Sequence, residues 1–191
     1  MVLRVIWAIT GAGDRLEETF SAVRRLSSDP EVEVTVILSR DGEIVVKWYR
    51  LWRKIKQTFE RVLVEKGPNK PFVAGPLQVG YYRALFVAPA TGNTVAKIVH
   101  GISDSLISNC VAQAMKGGIP VFILPVDGAP GTILTKTPQG KEIRLTTRDV
   151  DVENVEKLRR MGGIQVLDDP LQISDIVETL KGASDSGGDH G

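Results

Sequence analysis

The chain of 191 residues is 42% hydrophobic and 25% charged, with a formal net charge of +1. This is an ordinary globular composition, and the balanced charge argues against a general nucleic-acid-binding protein, which needs an excess of Lys and Arg on one face. No apolar run is long enough to span a bilayer, and residues 2–9 lack a signal-peptide cleavage pattern. The single cysteine, Cys110, excludes an internal disulfide or an iron–sulfur cluster held by this chain alone. We therefore expect a cytoplasmic protein that is not membrane-bound.

Strands alternate with helices along the chain. Runs of branched and apolar residues predict strands at residues 2–9, 31–38, 61–65, 84–88, 120–126 and 164–167. The first predicted helix begins with Asp14 and Glu17 as a capping box and ends at Asp29-Pro30. Further helices are predicted at residues 43–59, 93–100, 104–116, 152–161 and 171–180, with an irregular stretch up to Gly80 and a hairpin of residues 132–137 and 141–147.

This order predicts an α/β fold: a doubly wound, mostly parallel, Rossmann-like sheet with helices on both faces and a β-hairpin insertion. We expect one domain over residues 1–181 and a disordered tail over residues 182–191. Because such sheets bind ligands at the carboxyl ends of their strands, the candidate site comprises three loops, at residues 10–13, 39–42 and 89–93.

The first loop, Thr10-Gly11-Ala12-Gly13, precedes a helix, so its backbone N–H groups favour a phosphate. A dinucleotide fingerprint would place a third glycine at position 16, where Leu16 stands, and the second strand ends in Ser39-Arg40 without the acidic residue that binds an NAD ribose. These residues therefore fit an NAD site poorly, although Arg40 makes an NADP site a better match than an NAD site. A plain strand–turn–helix, with glycines for tight packing, is the alternative interpretation.

The third loop precedes two predicted helix starts, at Asn93 and at Ser103-Asp104. Their N-termini would converge on one ligand edge, where fixed dipoles stabilise the negative charge that a flavin gains on reduction. Simple helix capping by Asn93 and Ser103 is the alternative.

The segments at residues 88–98 and 101–109 closely resemble the signature of the homo-oligomeric flavoproteins, which include phosphopantothenoylcysteine decarboxylase, peptidyl-cysteine decarboxylases and flavin prenyltransferases. The nearest likeness is to the archaeoflavoproteins and the dihydromethanopterin reductases. Supporting segments lie at residues 9–14, 38–40, 69–72, 124–127 and 151–158. The resemblance covers the chain except its tail.

This resemblance implies bound FMN, and assembly into trimers or multiples of trimers with the flavin at a subunit boundary. It implies a phosphate near the first loop and Ser39, and an isoalloxazine near Ala90, Thr91 and Asn93. The full set of candidate flavin-binding residues is Thr10, Gly11, Ala12, Gly13, Ser39, Arg40, Ala90, Thr91, Asn93, Thr94, Lys97, Ser103, Asp104 and Leu106. No metal site is expected. The aromatic stripe of Trp48 and Trp52, with Tyr49 beside it, is typical of either a subunit boundary or core packing.

The decarboxylases of this family carry a Met-Asn clasp after the fifth strand, where this chain has Pro125-Val126-Asp127-Gly128. The resemblance therefore favours electron transfer through FMN, with electrons from a carrier such as ferredoxin. An acidic carrier could dock on the basic residues of the second helix, although a solvated helix face explains them equally well. The alternatives are a pterin reductase and a decarboxylase or prenyltransferase-like enzyme. His100, near the flavin loop, is a candidate for a chemical role or for a helix cap.

Overall fold

The computed structural model describes residues 2–137 and 139–186 and contains a central parallel sheet. The strands are β1 Leu3–Ile9, β2 Val32–Leu38, β3 Arg61–Val64, β4 Ala84–Ala90, β5 Val121–Pro125, β6 Thr132–Lys136, β7 Glu142–Thr146 and β8 Ile164–Val166. The central sheet has the order β3-β2-β1-β4-β5-β8, and all its neighbouring strands are parallel. Strands β6 and β7 pair antiparallel as a separate hairpin. The predicted doubly wound sheet with a hairpin insertion is confirmed.

Helices cover both faces of the sheet. They are α1 Leu16–Leu26, α2 Arg40–Trp48, α3 Trp52–Thr58, α4 Ala74–Gln78, α5 Gly92–Val99, α6 Leu106–Lys116, α7 Asp149–Arg159 and α8 Gln172–Ser186. The core cluster on one face joins the sheet to α1, α2, α3 and α8, and the cluster on the other joins it to α4, α5, α6 and α7. Two layers of helices thus bury the strands from both sides, which is why the strands read as continuous apolar runs.

Aromatic residues anchor the first of these clusters. The Trp7 ring in β1 stacks on Phe20 of α1 and meets Phe59 edge-on. Its indole N–H donates a hydrogen bond of 2.6 Å to the Ala88 carbonyl oxygen in β4. A buried Trp therefore contributes apolar area to the core and also ties β1 to β4, with its one polar group satisfied.

Two predicted helix boundaries are wrong. The first helix begins at Leu16 rather than with an Asp14–Glu17 capping box, because Arg15 occupies the N-cap position in a left-handed conformation without a side-chain cap. The single helix predicted over residues 43–59 is two helices, α2 and α3, separated where Arg50 adopts a φ of 59°. Apolar periodicity continues across this break, so the pattern gave no sign of it.

Other differences are smaller. The stretch predicted to be irregular up to Gly80 contains the short helix α4. The last helix continues to Ser186, past the predicted start of a disordered tail at Gly182, and residues 187–191 and Pro138 of the hairpin turn lie outside the described residues. In the part of the chain that the structure covers, we find no helix with the length and apolarity needed to cross a membrane.

Candidate functional site

The three predicted loops meet where the strand order reverses between β1 and β4. The Thr10 hydroxyl, which is buried, donates to the Pro89 carbonyl oxygen at 2.8 Å and accepts from the Thr91 backbone N–H at 3.0 Å. The Thr10 backbone N–H also donates to the Pro89 carbonyl oxygen, at 3.4 Å. One side chain therefore fixes the first loop against the third.

The second loop packs equally closely on the first. Ser39 is the N-cap of α2, and its hydroxyl accepts a hydrogen bond of 2.9 Å from the Gly42 backbone N–H. A Cβ atom on Gly42 would lie 2.3 Å from the Ile9 carbonyl oxygen, and one on Gly11 would lie 2.8 Å from the Asp41 Cβ. Only glycine allows these backbones to approach so closely.

These loops enclose a polar cavity of about 480 Å³, here called the loop cavity. The residues that line it are Gly11, Ser39, Arg40, Asp41, Glu65, Gly67, Pro68, Thr91, Asn93, Thr94, Lys97, Asp104 and Ser105. Its volume lies within the range of about 300–1,000 Å³ typical of small-molecule sites. Most of the sequence-predicted flavin-binding residues therefore face one cavity.

The remaining predicted residues lie around it in different environments. Thr10, Ala90 and Leu106 are buried beneath the loops, whereas Ala12 and Gly13 line a neighbouring cavity. Ser103 is exposed and lines none of the cavities described here. Contact of these residues with a flavin stays a prediction.

The helix N-termini at the loop cavity differ from the prediction. Helix α6 begins at Leu106, and Ser105 rather than Ser103 or Asp104 caps it in a reciprocal capping box with Ser108. The Leu106 backbone N–H donates to the Glu65 carboxylate at 3.1 Å. At α5, where Thr91 is the cap, the Gly92 backbone N–H donates to the Asp127 carboxylate at 3.1 Å. Neither of these two N–H groups is thus a free donor to a ligand.

The first loop keeps its donors. In the described part of the chain, the backbone N–H groups of Gly11, Ala12 and Gly13 donate to no protein acceptor. Lys97 and Arg40 bring positive charge to the loop cavity. The Lys97 ammonium pairs with the Asp104 carboxylate at 2.8 Å and so links α5 to the segment before α6. The free N–H donors make the first loop a candidate edge for an anion. Asp41, Glu65 and Asp104 bring negative charge to the rest of the same cavity.

A second cavity lies beneath the hairpin and is called here the hairpin cavity, with a volume of about 310 Å³. Its lining residues are Gly11, Ala12, Gly13, Asp14, Trp48, Tyr49, Thr91, Val126, Asp127, Thr135, Thr137, Ile143, Leu145, Thr146 and Thr147. Gly11 and Thr91 line both cavities, so the two share a thin wall.

The hairpin cavity continues outward into a larger groove of about 740 Å³, here called the outer groove. The two share Gly13, Asp14, Trp48, Tyr49, Thr135 and Thr137, and Arg15, Leu16, Glu17, Glu18, Arg50, Lys54 and Gly140 complete the groove. Asp14 thus lies at the junction, where its carboxylate accepts a hydrogen bond of 3.4 Å from the Thr135 hydroxyl.

Burial raises the pKa of the Asp14 carboxyl, and the neighbouring Arg15 opposes this only in part. The Arg15 guanidinium donates to the Asp168 carbonyl oxygen at 2.6 Å and pairs with Glu18 at 3.3 Å. The pKa of Tyr49 is raised too, first by burial and then by the negative charge of Asp14. A half-buried carboxyl without a strong cationic partner is a common feature of ligand sites.

Sequence reasoning missed Glu65. It follows β3 directly, at the carboxyl edge of the sheet, so the rule that selected the other loops also applied to it. Trp48 and Tyr49 were assigned to a subunit boundary or to the core. Both line the hairpin cavity, and Trp48 is 54% exposed. Tyr49 and Trp52 also pack against the core, whereas the subunit boundary stays a prediction. No sequence pattern indicated that the hairpin would line a cavity at this site, because the hairpin is far from the first two loops in sequence and folds over them.

The histidine and cysteine of the described chain lie away from both cavities. His100 is exposed at the C-cap of α5, and its backbone N–H donates to the Ala96 carbonyl oxygen; His190 is outside the described residues. Cys110 is buried in α6, and burial raises the pKa of its thiol to about 12. Among the described residues, no group of three or more His, Cys, Asp or Glu side chains is placed to hold a metal ion.

Comparison with known proteins identifies the family. The family model described as Flavoprotein matches residues 2–188. The chain belongs to the Flavoprotein family. The family resemblance predicted from the sequence is confirmed, and the three-loop edge of this flavoprotein is accordingly the part of the fold to examine for a flavin.

Relatives of this flavoprotein include an uncharacterised protein of Methanocaldococcus jannaschii, 48% identical over 92% of this chain and 95% of the relative. A dihydromethanopterin reductase (acceptor) of the same organism is 32% identical over 90% of this chain and 94% of the relative. Among solved structures, DmrB of Burkholderia xenovorans in complex with FMN, described as a cubic protein cage for redox transfer, is 28% identical, covers 96% of this chain and 97% of its own, and has a TM-score of 0.78.

Proposed function

We propose that this flavoprotein binds FMN in the loop cavity and uses it to transfer electrons. The observation that carries the proposal is the convergence of three loops, from β1, β2 and β4, around one polar cavity with donor groups on its first loop. The FMN complex of DmrB, a structural relative, supports the choice of flavin.

The phosphate is assigned to the edge formed by Gly11 and Ser39, with Ala12, Gly13 and Thr10 supporting that loop. The isoalloxazine is assigned to the edge of Thr91 and Asn93, with the residues predicted from the resemblance around it: Arg40, Ala90, Thr94, Lys97, Ser103, Asp104 and Leu106. FMN supplies the redox chemistry when bound. The chain's own groups would hold the phosphate through backbone N–H donors and fix the ring beside α5.

A spectrum of the purified protein tests FMN binding directly. We expect flavin absorbance in the visible region. For protein stripped of flavin, we expect saturable FMN binding and an increase in Tm. Asn93→Trp, which fills the loop cavity at the start of α5, should abolish FMN retention. His100→Trp, at the exposed end of the same helix, is the matched control and should retain it. Full FMN binding by Asn93→Trp would place the flavin elsewhere, and a colourless protein that does not bind FMN would refute the proposal.

The electron donor is proposed to be an acidic carrier of the ferredoxin type. Lys47, Arg50, Trp52, Arg53 and Lys54 line one shallow surface on α2 and α3. The Lys47 and Lys56 ammonium groups lie 5.1 Å and 5.6 Å from the centre of the Trp52 ring. Positive charge around an aromatic ring suits a transient acidic partner, because it accelerates encounter more than it strengthens the complex.

Stopped-flow reduction of the FMN-loaded protein by reduced ferredoxin tests this partner. We expect the rate to fall with increasing salt, and Arg53→Gln/Lys56→Gln to slow it about tenfold at low salt. Arg24→Gln/Arg25→Gln, on the exposed side of α1, is the control of equal charge change. A rate that is independent of salt and of both pairs of substitutions would exclude docking at this surface.

A pterin reductase is the second candidate function. It is favoured by the relative named dihydromethanopterin reductase (acceptor) and by the hairpin cavity, which adjoins the loop cavity through Gly11 and Thr91. Anaerobic mixing of the reduced protein with a dihydropterin should reoxidise the flavin. Flavin that remains reduced would eliminate this candidate and leave electron transfer standing.

Assembly into trimers or multiples of trimers remains part of the proposal. The FMN complex of DmrB is described as a cubic cage. On this chain, Phe72 and Val79 are 68% and 80% exposed, and exposed apolar side chains of this size favour a subunit contact. Light scattering coupled to size exclusion should give a mass that is a multiple of three chains, and a monomer would contradict the assembly.

A further inference from the structure

We propose that the carboxylates of Glu65 and Asp127 select oxidised over reduced FMN and so make the bound flavin a stronger reductant. They occupy the N-termini of α6 and α5, which the sequence predicted to stabilise the negative charge of the reduced ring. This inference rests on the proposed function, because it concerns FMN in the loop cavity. The electrons come from the external carrier proposed above.

Glu65 bridges two helix N-termini at the loop cavity. One carboxylate oxygen accepts from the Leu106 backbone N–H at the start of α6, at 3.1 Å, and the other accepts from the Arg40 backbone N–H at the start of α2, at 3.4 Å. Backbone N–H groups at a helix start form the positive end of the helix dipole and attract an anion. Both helix starts therefore already hold a negative charge that belongs to the protein.

Asp127 has the same role at α5, although it comes from the end of β5. Its carboxylate accepts from the Gly92 backbone N–H at 3.1 Å. A Cβ atom on Gly92 would lie 3.1 Å from that carboxylate and 2.6 Å from the Asp151 carboxylate, so two carboxylates lie beside this helix start. The Arg148 guanidinium neutralises Asp151 through two hydrogen bonds of 2.7 Å, which leaves Asp127 as the uncompensated charge.

No close cation cancels either of these charges. Within the described ranges, Glu65 and Asp127 each accept backbone N–H groups and take part in no ion pair. The Lys97 ammonium, which lines the loop cavity, is already paired with Asp104 at 2.8 Å. The charged residues that line this cavity are Arg40, Asp41, Glu65, Lys97 and Asp104. Carboxylates thus outnumber cations around it.

This charge distribution distinguishes the two oxidation states of the flavin. The ring of oxidised FMN is neutral, whereas reduction places negative charge on it, and nearby carboxylates oppose that charge in a site partly shielded from water. The free N–H groups of the first loop would hold the phosphate equally in both states. Oxidised FMN should therefore bind more tightly than reduced FMN, and by thermodynamic linkage the bound flavin should give up electrons more readily than free FMN.

Affinities for the two oxidation states test this selection. Flavin-free protein is titrated with oxidised FMN, and separately with dithionite-reduced FMN under anaerobic conditions, and the two Kd values are compared as a ratio. We expect the unsubstituted protein to bind oxidised FMN about tenfold more tightly than reduced FMN. The midpoint potential of bound FMN, measured against a reference dye, should correspondingly lie below that of free FMN.

Substitutions of nearly equal shape isolate the charge. Glu65→Gln and Asp127→Asn each remove one negative charge but keep an oxygen that accepts a helix N–H. Each should lower the ratio of the reduced-state Kd to the oxidised-state Kd about fivefold, and the double variant about 25-fold if the two charges act independently. Glu65→Asp keeps the charge and should keep the ratio. Glu60→Gln, at an exposed position just before β3, is the matched control and should change neither Kd.

A purely structural role of these carboxylates gives a different result. Loss of a helix cap would weaken the binding of oxidised and reduced FMN by the same factor and leave the ratio unchanged. That result, or equal affinity of the unsubstituted protein for both states, would overturn this inference and leave FMN binding standing. A protein that binds FMN in neither state would instead refute the proposed function, and this inference with it.

Discussion

The loop cavity and the hairpin cavity share a wall but are built differently. The loop cavity depends on backbones in close contact, where Gly42 packs on Ile9 and Gly11 packs on Asp41. The hairpin cavity depends on side chains from a two-stranded hairpin that pairs with no strand of the central sheet. Stability is therefore tied to the first region, whereas the second holds groups, such as Asp14 and Thr147, that the fold alone does not favour.

This contrast leads to predictions of opposite sign. Substitutions at the loop cavity should lower the free energy of unfolding, and selected substitutions around the hairpin cavity should raise it. Uniform loss of stability in both regions would remove the distinction.

Gly42→Val should have the largest effect. Its Cβ would lie 2.3 Å from the backbone oxygen of Ile9, so α2 must move away from β1. We expect a loss of about 3–4 kcal/mol in the free energy of unfolding, measured by urea denaturation. Gly162→Val is the control, because a Cβ at that position meets no atom within 4 Å; a comparable loss there would show that the effect is not steric.

Thr10→Val should cost about 2 kcal/mol, because it removes the hydrogen bond to the Pro89 carbonyl oxygen and leaves the Thr91 N–H without its acceptor. Since the same contacts join the first and third loops, FMN affinity should fall in parallel, as measured by fluorescence titration. Thr10→Ser keeps the hydroxyl, so it should retain most of the free energy of unfolding and most of the FMN affinity. Stability loss with unchanged FMN affinity would separate this contact from the flavin site.

Arg50→Gly should stabilise the protein by about 0.5–1 kcal/mol. Arg50 adopts a φ of 59° between α2 and α3, a conformation that costs a non-glycine residue energy and glycine little. Arg50→Gln keeps the strain while removing the charge, so it should leave the free energy of unfolding nearly unchanged. If both variants stabilise equally, repulsion among the basic residues is the cause instead.

Asp14→Asn should give the smallest change, a modest gain in stability at neutral pH. The folded-state pKa of Asp14 is raised above its ordinary value of 3.8, so the native state favours the protonated carboxyl. Stability is therefore lost as the pH rises from the ordinary pKa through the raised folded-state pKa. The gain should therefore vanish below pH 3.8, where the carboxyl is protonated in both states. Urea denaturation at both pH values measures it, and a gain that persists at low pH would contradict this origin.

The sequence predicted the loop cavity better than the hairpin cavity for a physical reason. Parallel strands deliver their following loops to one edge, so Thr10, Ser39 and Thr91 could be brought together from strand assignments alone. The hairpin itself was predicted, but its position was not, because no local pattern specifies which loop it covers. The left-handed residues Arg15 and Arg50 were also missed, since a positive φ at arginine follows from tertiary packing rather than from residue preference.

Cys110 gives this protein a practical advantage. It is the only cysteine in the chain, and burial raises the pKa of its thiol to about 12. Thiol-directed labels should therefore not react with it while the protein is folded. A cysteine introduced at an exposed hairpin position such as Leu134 would then take up a fluorophore alone. Such a label would report directly on hairpin position as ligands enter the cavity beneath it.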